Sequence, residues 1–174
     1  VKSNIPTISS VKPYSPLELE GRDIYIREGC NNCHSQMIRP FRSEVKRYGE
    51  YSKSGEYVYD HPFLWGSKRT GPDLMRIGGK YNDNWHFNHM WSPQRMDEKS
   101  VMPAYKWLFD NKAMDHSLIE KKMSVMVTLG VPYTDADIAN AKKSIDEQST
   151  KIEKSLYNDP DFVKSYEDSK KKAA

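Results

Sequence analysis

Both cysteines of the chain fall within Gly29-Cys30-Asn31-Asn32-Cys33-His34-Ser35-Gln36, with a histidine directly after the second. No other feature constrains the fold as tightly. Thiols at i and i+3 on a helical turn can both reach the vinyl groups along one haem edge and hold them as thioethers, the C-x-x-C-H pattern of haem c attachment. His34, four residues beyond Cys30, lies on the same side of the turn and is placed to ligate the iron.

Two other chemistries use a C-x-x-C pair. A structural zinc needs four ligands, usually from two paired motifs; there is no second cysteine pair, and His61, His86, His89 and His116 lack finger spacing. A thiol redox motif belongs in a βαβ setting. Cys33 is succeeded instead by a loop rich in Arg, Tyr and Gly.

A chain of 174 residues accommodates one domain with extensions. Hydrophobic residues make up only 37% and mean hydropathy is −0.85, so a buried porphyrin would supply apolar surface that the side chains lack. A net charge of +3 gives no argument for nucleic acid. The longest mostly apolar stretch, Val125 to Val131, is too short to span a bilayer. The sequence starts at Val1 without an initiator Met, and a targeting or anchoring segment is expected upstream. Haem c is attached on the oxidising side of a membrane, which in bacteria is the periplasm.

The expected architecture is mainly α: a cytochrome c-like helical domain around one covalent haem c, with a long loop or hairpin insertion after the motif and an extended charged C-terminal helix. Residues 1–16, with three prolines, read as a linker following a membrane anchor; 17–133 as the haem domain; 134–157 as the C-terminal helix; and 158–174 as a charged tail. Leu17 to Glu28 reads as the helix feeding the motif, and Gly21 within it as a point of close approach or an ordinary exposed glycine. Tyr57-Val58-Tyr59 has strand character within the insertion. Asp83–Trp91 reads as a short helix, and Asp115 or Ser117 as the cap of another running to Leu129 and packing on the first.

Arg39 and Arg42 are candidates for the haem propionates or an acidic partner, because guanidinium matches carboxylate in pairs. Phe63 and Trp65 are candidates to cover a haem edge. The Pro72 carbonyl, in the turn Gly71-Pro72-Asp73-Leu74, is a candidate acceptor for the His34 Nδ1–H, fixing the tautomer that turns Nε2 to iron. The distal ligand is placed after Trp91: Met102 stands before Pro103, which holds it extended in a loop, with Met96, His86 and His89 as competitors.

Glu18-Leu19-Glu20-Gly21-Arg22-Asp23-Ile24-Tyr25, the C-x-x-C-H motif, Ile38-Arg39-Pro40, Gly66-Ser67-Lys68-Arg69-Thr70-Gly71-Pro72-Asp73-Leu74 and Ser100-Val101-Met102-Pro103-Ala104-Tyr105 together resemble the mono-haem subunit (subunit II, FixO type) of bacterial cbb3-type cytochrome c oxidases. The resemblance covers about residues 12–134. It implies Cys30 and Cys33 as thioether anchors, His34 as proximal and Met102 as distal ligand. It also implies an N-terminal membrane helix, a place on the periplasmic side of the inner membrane, and two partners: the catalytic haem-copper subunit and a di-haem cytochrome c subunit. The role expected is electron transfer from a donor cytochrome to the oxygen-reducing subunit, as a non-catalytic part of an enzyme. The alternatives are a free soluble periplasmic cytochrome c shuttle and a five-coordinate haem enzyme or sensor, which requires that Met102 not bind.

Overall fold

The structure, a computed structural model, describes residues 8–109 and 115–173; the first seven residues of the expected linker lie outside them. Helix α1 (Pro16–Arg27) begins at a reciprocal cap: Ser15 N–H donates to Glu18 Oε2 at 2.7 Å and Glu18 N–H to Ser15 Oγ at 3.5 Å, while Pro16 occupies the first turn, where no N–H is needed. It ends at Gly29, whose φ of +71° is easy for glycine and costly for other residues. Cys30–Asn32 then forms a 3₁₀ turn.

The insertion is mostly loop with two short helical pieces. It contains α2 (Arg42–Tyr48) and a 3₁₀ turn at Ser54–Tyr57, and no strand is present among the described residues. The hairpin expected around Tyr57-Val58-Tyr59 gives way because the Glu56 carboxylate accepts the Lys53 N–H at 2.7 Å, closing a tight turn. Tyr57 meanwhile points inward, buried, and donates its hydroxyl to the Gln36 carbonyl at 2.7 Å. Its neighbours are therefore not free to form a ladder.

The remaining helices are α3 (Asp83–Trp91), α4 (Ile119–Thr128), α5 (Asp135–Ala139), α6 (Ala141–Tyr157) and α7 (Pro160–Ala173). They sort into two compact units, where the sequence suggested one domain with extensions. The first comprises the chain up to Gly78 together with His116–Ile145. Its core is Leu19 of α1, Ile119, Met123 and Met126 at helical spacing on α4, Val131, and Ala141 and Ile145 from the first turns of α6. Lys122 of α4 reaches both Glu20 and Asp23 of α1 at 2.7 Å. Gly21 plays no part in this packing: it is exposed, and nothing lies within 4 Å of where its Cβ would be. Nor does α4 start on Asp115 or Ser117. Leu118 holds the cap position without a side-chain bond, because a tight turn with Ile119 N–H on the His116 carbonyl, 3.2 Å, leads into the helix.

The second unit comprises Gly79–Asp115 and the chain from Asp146 onward. Its interior is aromatic. The Phe87 ring of α3 meets Phe109 at 4.4 Å and Phe162 of α7 at 4.8 Å, and Phe162 stacks on Tyr166 at 5.7 Å. Asn84 Nδ2 also donates to Asp159 Oδ2 at 3.0 Å, beside the start of α7. The segment expected as a charged tail is thus a helix with Phe162 buried. The expected helix from 134 to 157 is also divided, by Asn140 between α5 and α6. No helix among the described residues is long and apolar enough to cross a membrane.

Candidate haem site

The 3₁₀ turn places the motif. The Cys30 carbonyl accepts the N–H groups of Cys33, at 3.2 Å, and His34, at 3.0 Å, so the two thiols and the imidazole project from a single turn. The thiols are not bonded to each other; Cys30 is half-buried and Cys33 exposed. Burial pushes the Cys30 thiol above its ordinary pKa.

His34 is held from one side by the segment Trp65–Leu74. Its Nδ1 lies 2.8 Å from the Pro72 carbonyl oxygen. A carbonyl only accepts, so Nδ1 carries a proton, and in the neutral ring this is the tautomer that leaves the Nε2 lone pair for a metal. The ring lies flat against Gly71, where a Cβ would come within 2.2 Å of Cε1. Backbone bonds flank this contact: Gly71 N–H donates to the Cys33 carbonyl at 3.0 Å, Leu74 N–H to Ser35 at 2.9 Å, and Gln36 N–H to Trp65 at 2.8 Å. Gly66, with φ +64°, leaves its absent Cβ 3.1 Å from the Asn31 carbonyl, so the segment crosses the motif at backbone distance.

A buried charge cluster lies directly behind. Asp73 Oδ2 accepts the Ser35 hydroxyl at 2.5 Å and the Met37 N–H at 2.9 Å, and Oδ1 accepts the Met75 N–H at 2.9 Å. Arg69 donates to Ser35 Oγ at 2.8 Å, to the Met37 carbonyl at 2.9 Å and to Glu44 Oε2 at 2.7 Å. Hydrogen bonds from Arg69, then from Arg39, hold the buried Glu44 carboxyl down to about 2.

A family model described as cytochrome c oxidase, mono-heme subunit/FixO, matches residues 1–174. The chain belongs to this family. No match is found among curated proteins. As a member of the FixO family it is the mono-haem subunit of a cytochrome c oxidase and works in a complex with other oxidase subunits.

The residues present fit a covalently held haem: two thiols free of a disulfide and an imidazole in the ligating tautomer share one turn. Of the other residues singled out from sequence, Arg39 has its Nε and one terminal nitrogen on Glu44, although more than half of its side chain is exposed. Phe63 and Trp65 stack on each other at 4.7 Å, both partly exposed. Met102 belongs to the second unit. It is half-buried, with its N–H on Ser100 Oγ at 3.3 Å and its carbonyl accepting from Gln94 Nε2 at 3.0 Å. Its competitor Met96 is 42% exposed, and His89 stacks on Trp85 at 4.6 Å.

Gly71, Asp73, Ser35, Arg69 and Glu44 were not singled out individually by sequence reasoning. The only local signal was that Asp73 and Arg69 flank the Gly71-Pro72 turn; their partners lie far away in the chain.

Proposed function

We propose that this FixO-family chain is the electron-relay subunit of a cbb3-type oxidase, holding one haem c through Cys30 and Cys33 with His34 as proximal and Met102 as distal ligand. The observation that carries the reading is the His34–Pro72 contact at 2.8 Å beside two uncrosslinked thiols on one turn. When bound, the haem iron supplies a one-electron ferric/ferrous couple, and a His/Met pair favours a high potential. Cys30 and Cys33 would hold the haem as thioethers. His34 is oriented by the Pro72 carbonyl, which strengthens it as a donor. Gln94 Nε2 holds the Met102 carbonyl at 3.0 Å, and Pro103 disfavours a helical backbone at Met102. The proposed place is the periplasmic side of the bacterial inner membrane, with electrons arriving through a di-haem cytochrome subunit or another donor and leaving to the haem-copper subunit.

The test is direct. On a denaturing gel the protein expressed in a periplasm is expected to stain for haem peroxidase, and its ferric form to show the weak far-red band of methionine-ligated haem. Met102→Ala should lose the band and keep the stain, whereas Met96→Ala should keep both. An unstained band overturns the covalent haem, and a high-spin wild-type spectrum overturns six-coordination. Co-purification with other oxidase subunits is expected, and isolation of the native protein without any of them would overturn the relay role.

A further inference from the structure

A carboxylate buried beside an iron ligand demands a reason, because its desolvation is costly unless it is thoroughly hydrogen-bonded. The Asp73 side chain is fully buried, and its oxygens take bonds from both stretches of chain that meet at His34. Oδ2 binds Ser35 and Met37, on the stretch that leaves the histidine; Oδ1 binds Met75, on the stretch that leaves Pro72. The register is continuous: Gly71 bonds Cys33, Pro72 bonds His34, Asp73 bonds Ser35, and Leu74 bonds Ser35 again. The two partners of the His34–Pro72 bond are thus each succeeded immediately by a residue of the Ser35–Asp73 bond.

Arg69 makes this join hard to slide. Its Nε donates to the same Ser35 oxygen that donates to Asp73, and one terminal nitrogen bridges the Met37 carbonyl and Glu44. Glu44 in turn accepts the backbone N–H of Arg39 at 2.9 Å. The stretch from Ser35 to Arg39 is therefore fixed by charged side chains at Ser35, Met37 and Arg39. Backbone pairing alone does not supply such redundancy.

We propose that Asp73 and Ser35, braced by Arg69, are positioning residues that set the length and direction of the His34 Nδ1–H bond to Pro72, and through it the donor strength of the proximal imidazole. This rests on the proposed haem ligation by His34. A carbonyl held at 2.8 Å adds electron density to the ring and stabilises the ferric state; a lengthened bond withdraws it and raises the reduction potential. Asp73→Asn alone cannot separate position from charge, since loss of a buried negative charge also raises the potential. Ser35→Ala alters no charge and removes the same link.

The experiment uses the full chain matured with haem, as wild type, Ser35→Ala and Asp73→Asn. Haem stain after denaturation reports attachment, NMR hydrogen exchange reports the His34 Nδ1–H, and redox titration reports the potential. Both variants are expected to stain, to exchange the Nδ1 proton about tenfold faster than wild type, and to show a raised potential. If Asp73→Asn does not accumulate as folded protein, Ser35→Ala alone decides. Ser35→Ala with unchanged exchange and potential, whatever its loss of thermal stability, makes the cluster a brace of the fold and overturns the proposal. A wild-type protein without stain removes the haem ligation itself, a different failure read on a different channel.

Discussion

The segments that carry His34 and Met102 are built by opposite means. Around His34 nearly every restraint is redundant: backbone bonds on both sides, a glycine pressed against the ring, and a buried carboxylate with an arginine behind it. The loop from Gln94 to Met102 hangs on few contacts. Gln94 Nε2 donates to the Ser100 and Met102 carbonyls, each at 3.0 Å, Asp97 closes a turn on Ser100 and Lys99, and most of the side chains are exposed. A redundantly braced segment at His34 and a sparsely held one at Met102 mean that substitutions near His34 should act on the stability of its whole unit, while those near Met102 should act locally.

Gly71→Ala should break the stiff side most severely. A Cβ 2.2 Å from His34 Cε1 has backbone behind it and a tethered ring in front, so a cost of roughly 3 kcal/mol is expected, the upper end for an added methyl group in a packed site. Denaturant unfolding together with haem stain checks it, and a stained, wild-type-stable variant would show that the ring can swing aside. Glu44→Gln comes next, at about 2 kcal/mol, because it takes the carboxylate from Arg39 and leaves Arg69 only Asp73, at 3.7 Å, in a partly solvated cluster. Its pH signature is separate. The Glu44 carboxyl lies at about 2 against an ordinary 4.5, so its stabilisation is present above the ordinary value and is lost as pH falls from about 4.5 toward 2. An acid unfolding profile of Glu44→Gln should lack that part of the decline.

On the compliant side, Gln94→Ala is expected to cost about 1 kcal/mol, seen as faster amide exchange near Met102 with the His34 surroundings unchanged. Loss of protection at both places would erase the distinction. The smallest effect expected is a gain. Gly21→Ala, in an exposed helix position with open space around it, should stabilise by about 0.5–1 kcal/mol by urea unfolding.

How much the sequence disclosed depends on the range of the interaction. The run from Leu17 announced α1 and Gly29 its end, because helix ends are decided within a few residues, although Ser15 and Pro16, read as linker, turned out to cap it. The motif turn was legible for the same reason. The Ser35–Asp73 and Arg69–Glu44 pairs were not, since their partners are 38 and 25 residues apart and neither end has a distinctive neighbour pattern. In α7 the signal was present but outweighed: Phe162, Val163 and Tyr166 share a face, yet the charged residues around them pointed to a solvated tail. In the insertion, paired tyrosines promised a strand, and the Lys53–Glu56 turn prevailed.

The discontinuous make-up of the first unit bears on how the protein is made. Leu19 shares its core with Ile119, Met123, Met126 and Ile145, so the apolar surroundings of α1 are incomplete until the chain has emerged beyond residue 145. Until then Cys30 and Cys33, just beyond α1, belong to a unit whose core is unfinished, and contacts of such long sequence separation are slow to form. Closure of this interior is therefore a late event, gated by residues more than a hundred positions downstream of α1.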